Sequence, residues 1–192
     1  MVNLSKGQTI SLEKAGAALT RVTMGLGWDV RKPKGLARMF GGGETEIDLD
    51  ASCLMFDAGG RLLDTVWFGQ LKSRGGAIVH TGDNLTGAGD GDDEQIRVDL
   101  TALPADAATL VFTVSSFRGD TFDRIDNAYC RLIDAVSGAE MARYALSGGG
   151  SHTGQIMAKL TRRGGGWEMR ALGQAAGGRT VQDLVPAASV LL

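Results

Sequence analysis

The stretch ETEIDLDASCLMF, Glu44 to Phe56, alternates apolar and polar residues over its first half. Successive side chains of a β-strand point to opposite faces of the sheet. Ile47, Leu49 and Ala51 therefore share one face, and Asp48, Asp50 and Ser52 share the other. A period of two with one apolar face marks a strand lying on a core. Outward from this segment the pattern recurs. Gln8 to Leu12 and Leu19 to Leu26 read as strands before it, and Arg61 to Gln70, Ala77 to His80 and Gln95 to Leu100 as strands after it. Asp57-Ala-Gly-Gly60 is a hairpin signal. Thr109 to Phe117 is nearly continuous in apolar residues, which suits a strand covered on both faces. Ala128–Val136 with Glu140–Leu146, and Gln155–Arg163 with Trp167–Gly173, read as two further hairpins. Arg118 to Asn127 has room for one helical turn, and Thr180 to Leu192 for a short helix or strand. About ten short strands separated by Gly turns predict an all-β fold, a two-sheet β-sandwich with a few short helices. No linker or internal repeat interrupts residues 1–192, so one domain is expected.

Composition narrows the function. The 29 glycines with only 3 prolines and no G-X-Y period mean many turns, not a collagen-like chain. A formal net charge of −2 supplies no global positive field, which argues against nucleic acid as a partner. The N-terminal MVNLSKGQTISL lacks an apolar core long enough for a signal peptide, and no apolar run is long enough for a transmembrane segment. Cys53 and Cys130 lie far apart in apolar strand-like segments and read as buried thiols. Together these predict a cytoplasmic protein.

The chemistry concentrates in Gly82 to Glu94, GDNLTGAGDGDDE. It carries the carboxylates Asp83, Asp90, Asp92, Asp93 and Glu94, the carboxamide Asn84 and four glycines. No Lys or Arg occurs between Arg74 and Arg97. Two carboxylates about 5 Å apart repel by roughly 3 kcal/mol at an effective dielectric near 20. Crowding several is unfavourable unless a cation sits among them. Hard oxygens on a Gly-rich backbone suit Ca²⁺. The other reading is a solvated acidic turn. The stretch is not an EF-hand: Asp83 and Glu94 fit the first and last ligand positions, but Leu85 and Gly87 fall on ligand positions and Ala88 replaces the turn glycine. Asp29, at the end of Gly25-Leu-Gly-Trp-Asp29, is a turn cap or a ligand. Asp48 and Asp50 are a solvent-facing pair or complete an oxygen shell.

Catalytic arrangements are missing. No G-x-S-x-G, Walker or zinc spacing occurs, and His80 and His152 read as backbone hydrogen-bonding groups, so an enzyme is not expected. Arg31 to Gly43, RKPKGLARMFGGG, reads as a basic, mobile loop, solvated or in contact with an acidic partner or a membrane surface.

Four segments are similar to the TerD family of tellurium-resistance and stress-response proteins: Gly25–Asp29 (GLGWD), Ile47–Ala51 (IDLDA), His80–Glu94 (HTGDNLTGAGDGDDE) and Gly166–Gln174 (GWEMRALGQ). Gly150–Gly154, Ser115–Arg131 and the basic insertion resemble its TerZ branch most. The resemblance implies a β-sandwich that binds Ca²⁺, commonly two ions, without catalysis. It implies ligands among Asp83, Asn84, Asp90, Asp92, Asp93 and Glu94, with Asp29 and the Asp48/Asp50 pair closing the shell. It implies other Ter-system proteins as partners, one of them membrane-integral. Alternatives of another class are a Ca²⁺-dependent adhesion module for membrane or phosphate ligands, in peripheral membrane contact, a metal-dependent hydrolase, or a sugar-binding sandwich.

Overall fold

Alternation of side chains builds two six-stranded sheets that close on one another. The computed structural model describes residues 1–14, 16–30, 47–82, 91–146 and 150–192. Its strands are β1 Val2–Leu4, β2 Thr9–Ser11, β3 Glu13–Lys14, β4 Ala17–Ala18, β5 Arg21–Val30, β6 Leu49–Asp57 and β7 Leu62–Val66. They continue with β8 Ile78–His80, β9 Glu94–Asp99, β10 Ala107–Ser116, β11 Ile125–Asp134, β12 Glu140–Ala145, β13 Gly154–Arg163 and β14 Gly166–Ala176. One 3₁₀ turn, Phe122–Arg124, and one helix, α1 Val181–Ser189, complete the described elements.

The first sheet runs β1-β12-β11-β5-β9-β8 and the second β2-β14-β13-β10-β6-β7. All neighbours are antiparallel except β1 and β12, which pair parallel with Val2 opposite Ala142. The expected all-β, two-sheet architecture is therefore present. Strand β5 shows how sequence sets the faces. Val22, Met24, Leu26 and Trp28 are buried in the space between the sheets, where they meet Leu49, Ala51, Cys53 and Met55 of β6. The intervening Thr23, Gly25, Gly27 and Asp29 consequently line the outer face of the first sheet. Strand β10 is apolar on both sides for a different reason. Leu110, Phe112 and Val114 enter the central core, while Val111 joins a second cluster with Leu54, Phe56, Ile156 and Leu172. Helix α1 lays Val181, Leu184 and Ala188 over that second cluster. Asp183 Oδ2 accepts the Thr180 N–H at 3.0 Å, closing the first turn of the helix. Each fully buried Phe or Leu contributes about 1.5–3 kcal/mol.

Several boundaries move. Arg61 to Gln70 is not one strand: pairing stops at Val66, and Trp67 to Gln70 turns back on itself through reciprocal backbone bonds. Gly69 permits this, since the Trp67 ring occupies the space its Cβ would need. The first strand, β1, carries no alternation long enough to announce it. Cys53 and Cys130 are both free and buried, and burial pushes the Cys130 thiol up to about 12. The basic segment 31–43 and residues 147–149 lie outside the described residues.

Candidate functional site

At the rim of the first sheet, β5 and β11 run side by side with Asp29 directly opposite Asp126. Like charges in such a position are destabilising. The register slips between Asp126 and Tyr129, so the ladder bulges at Asn127, which takes a positive φ of 54°. Asn is among the few residues that tolerate this region. The bulge aims the Asn127 side chain at Asp29, and its Nδ2 donates to Asp29 Oδ2 at 2.8 Å.

The acidic stretch meets this rim at Gly91. There φ is 106°, which glycine adopts without steric cost, and the Gly91 carbonyl accepts the Tyr129 O–H at 2.7 Å. Burial, with the Asp92 charge adding to it, raises the Tyr129 pKa, so its hydroxyl remains a donor. Asp92 then folds its carboxylate onto the outer face of the sheet. Its side chain is buried; Arg131 Nε donates to Oδ1 at 2.7 Å and Gln95 Nε2 to Oδ2 at 3.2 Å. Two glycines of β5 make this possible. A Cβ on Gly25 would strike the Asp92 carboxylate, and one on Gly27 would strike the Tyr129 ring. Hydrogen bonding to Asp92 raises the Arg131 pKa and keeps its guanidinium charged.

Asp93 faces a different environment. Its backbone N–H bonds Leu26 O at 2.8 Å, and its Oδ2 accepts the Trp28 N–H at 2.9 Å, which fixes it beside β5. Burial first, with the charges of Asp29 and Asp92 adding, pushes its carboxyl up against the effect of the Trp28 N–H. Glu94 turns inward instead. Its Oε2 accepts the Ala51 N–H of β6 at 2.7 Å and lies 3.3 Å from His80 Nε2, both side chains being fully buried. His80 Nδ1 accepts the Gly82 N–H at 3.2 Å, so the ring carries its proton on Nε2, between Glu94 and the Ala51 carbonyl at 3.2 Å. With the Trp28 Nε1–H on Ile47 O at 3.1 Å, these bonds tie the two sheets together at the acidic end.

Asp29, Asp92 and Asp93 thus come into one electrostatic neighbourhood. Asp48 and Asp50 are both buried rather than solvent-facing, with Asp50 opposite Ser115 of β10 and Asp48 Oδ2 3.8 Å from Arg118 Nε. Asp83, Asn84 and Asp90 lie outside the described residues. Among the described residues, no three Asp, Glu, His or Cys groups converge as a metal-holding set. The donors present are oxygens, the kind a hard cation takes. His80 bonds to backbone as expected, whereas the His152 ring stacks on Phe122 with centroids 4.7 Å apart.

Sequence reasoning missed Asp126, Asn127, Tyr129 and Arg131. Their signal was indirect: Tyr129 and Arg131 alternate with the buried Ala128, Cys130 and Leu132, on the same face as Gly25 and Gly27 of the neighbouring strand.

Comparison with known proteins agrees with this fold. A match to the TerD domain family spans residues 1–186. The tellurium resistance protein TerZ of Serratia marcescens is 52% identical over 96% of this chain and 95% of its own. The stress response protein SCP2 of Bacillus subtilis (strain 168) is 39% identical over 96% of this chain and 97% of its own. A crystal structure of a homologue of telluride resistance protein (TerD) from Streptomyces coelicolor A3(2) superposes with a TM-score of 0.71 at 22% identity, over 87% of this chain and 95% of that one. At that identity it shows the fold.

Proposed function

Since the chain belongs to the TerD family of tellurium-resistance and stress-response proteins, we propose that it binds calcium and that the ion orders its acidic stretch. Its role is structural and regulatory, not catalytic. It acts in the cytoplasm with other Ter-system proteins, a membrane-integral one among them. No helix among the described residues is long and apolar enough to cross a membrane.

One observation supports this reading: the charges of Asp29 and Asp92 act on half-buried Asp93 at the end of the acidic stretch. A divalent cation held by Asp29 and Asp93 with further oxygens of that stretch would offset the repulsion between the two acids. Ca²⁺ accepts such an irregular shell because it takes 6–8 oxygens without strict geometry. Asp29 and Asp93 supply part of it, and Asp83, Asn84 and Asp90 of the same stretch supply more. Without calcium the stretch opens under its own charge; with calcium it closes and presents a defined surface to a partner.

Metal analysis of the purified chain, followed by calorimetric titration of the stripped form with calcium chloride, tests this. Uptake of about two ions per chain in exchange for a rise in melting temperature is expected. A stripped chain that takes up no calcium ends the reading.

A further inference from the structure

Three acids stand in a row at Asp92, Asp93 and Glu94, and charge alone makes them equivalent. Their surroundings do not. We infer that Asp92 is a peg that hangs the acidic stretch on the first sheet, held there by Arg131 and Tyr129 as positioning residues, and that it is not an ion ligand. The inference rests on the calcium reading above and specifies how the ligand set is held.

Four features of the geometry carry it. The Asp92 side chain is fully buried, with Arg131 on one carboxylate oxygen and Gln95 on the other. Tyr129 grips the preceding carbonyl, so side chain and backbone are fixed together. Arg131 is itself held: its Nη1 donates to Glu140 Oε2 at 3.0 Å, and Arg143 donates to both Glu140 oxygens at 2.9 and 3.0 Å. Arg143 in turn lies over the Tyr129 ring at 4.0 Å from its centroid. Asp92, Arg131, Glu140 and Arg143 thereby form a ring of alternating charge, closed through Tyr129. A calcium ion bound at Asp92 would have to expel a guanidinium from a buried ion pair and then sit beside it. Finally, Gly25 is hollowed out at the spot the Asp92 carboxylate fills. The peg has its own socket, formed by β5, β9 and β11. Asp93, the next residue, lies under the charges of Asp29 and Asp92 and is the one the calcium reading assigns to the ion.

Calcium titration of the stripped full-length chain separates these roles. In Asp92→Asn/Arg131→Gln the pair becomes neutral but can still hydrogen-bond. It is expected to keep the calcium dissociation constant within about threefold, whereas Asp93→Asn weakens it at least about thirtyfold. Arg131→Ala/Tyr129→Phe, which releases the peg, is expected to weaken binding by about tenfold at unchanged stoichiometry, as loss of groups that orient ligands does. If the neutral pair loses as much affinity as Asp93→Asn, Asp92 is a ligand and the inference falls. A second measurement needs no ion. In metal-free protein, Arg131→Ala is expected to speed amide hydrogen exchange of Asp93 and Glu94 by about tenfold while the β13 amides stay protected. Unchanged exchange overturns the peg. A wild type that ignores calcium while this exchange effect holds overturns only the calcium reading.

Discussion

Asp64 and Asp93 are both drawn into the protein, yet they end in opposite electrostatic states. At Asp64 three donors converge: the Thr65 N–H and Gln70 Nε2 at 2.9 Å on one oxygen, and the Arg74 N–H at 2.8 Å on the other. Burial raises its pKa, but the Arg74, Gln70 and Thr65 donors outweigh that and hold the carboxyl below its usual range. At Asp93 burial is joined by Asp29 and Asp92, and the Trp28 N–H opposes them without reversing the rise. Desolvation alone therefore does not decide what a buried acid is for. The donors the fold supplies decide it. Asp64 is satisfied by its own chain and organises a turn; Asp93 lies under the charges of two other acids.

The largest expected effect tests the Asp93 side directly. Calcium at a hundredfold excess over its dissociation constant stabilises the native state by about 2.7 kcal/mol. For a chain of this size that raises the melting temperature by roughly 5–10 °C, which scanning calorimetry would detect. Asp93→Asn should remove most of that rise, and a persistent rise would take Asp93 out of the site. Next is Gly25→Ala, whose methyl group meets the Asp92 carboxylate. It should cost about 1–3 kcal/mol in denaturant unfolding and weaken the calcium response. Asp64→Ala should cost about 1–2 kcal/mol, because two backbone N–H groups and Gln70 lose their acceptor. Its calcium-induced shift should match wild type; a diminished shift would mean the two acids are not separate in kind.

The smallest effect lies in the pH dependence of the metal-free protein. An acid whose folded pKa is raised binds its proton more tightly in the folded state, so its contribution to stability falls as pH rises past the unfolded value. Asp93→Asn should therefore match wild type below about pH 4 and become the more stable of the two as pH climbs through the raised Asp93 pKa. For Asp64 the sign reverses: its folded pKa is depressed, and its stabilisation is present above the unfolded pKa and lost as pH falls through the folded one. Thermal melts of both variants across pH 3–8, roughly the range in which carboxylates titrate, would show the two slopes.

Much of this was legible in the sequence, and what was not had a physical reason. The alternation in Glu44–Phe56 correctly sends Leu49 and Ala51 inward and Asp48 and Asp50 outward, because burial of one face leaves a period of two. The acidic stretch was conspicuous because nothing nearby in the chain neutralises it. The neutralising group for Asp92 is Arg131, brought close by the pairing of β5 with β11, so no local count reveals it. Gly25 and Gly27 carry no local signal of their role, which is to act as missing side chains on a crowded face. Asp126 was hidden among polar neighbours until the register placed it opposite Asp29.

The parallel partnership of β1 with β12 affects how the protein is made. Val2 waits for Ala142, and Thr9 of β2 waits for Arg170 of β14. Neither early strand can hydrogen-bond to its native neighbour until the far half of the chain has left the ribosome. Folding dominated by such distant pairings is slow, because loops must close before any contact rewards them. The nascent chain therefore carries its first strands unpartnered through most of its synthesis, the interval in which a chaperone has the most to protect.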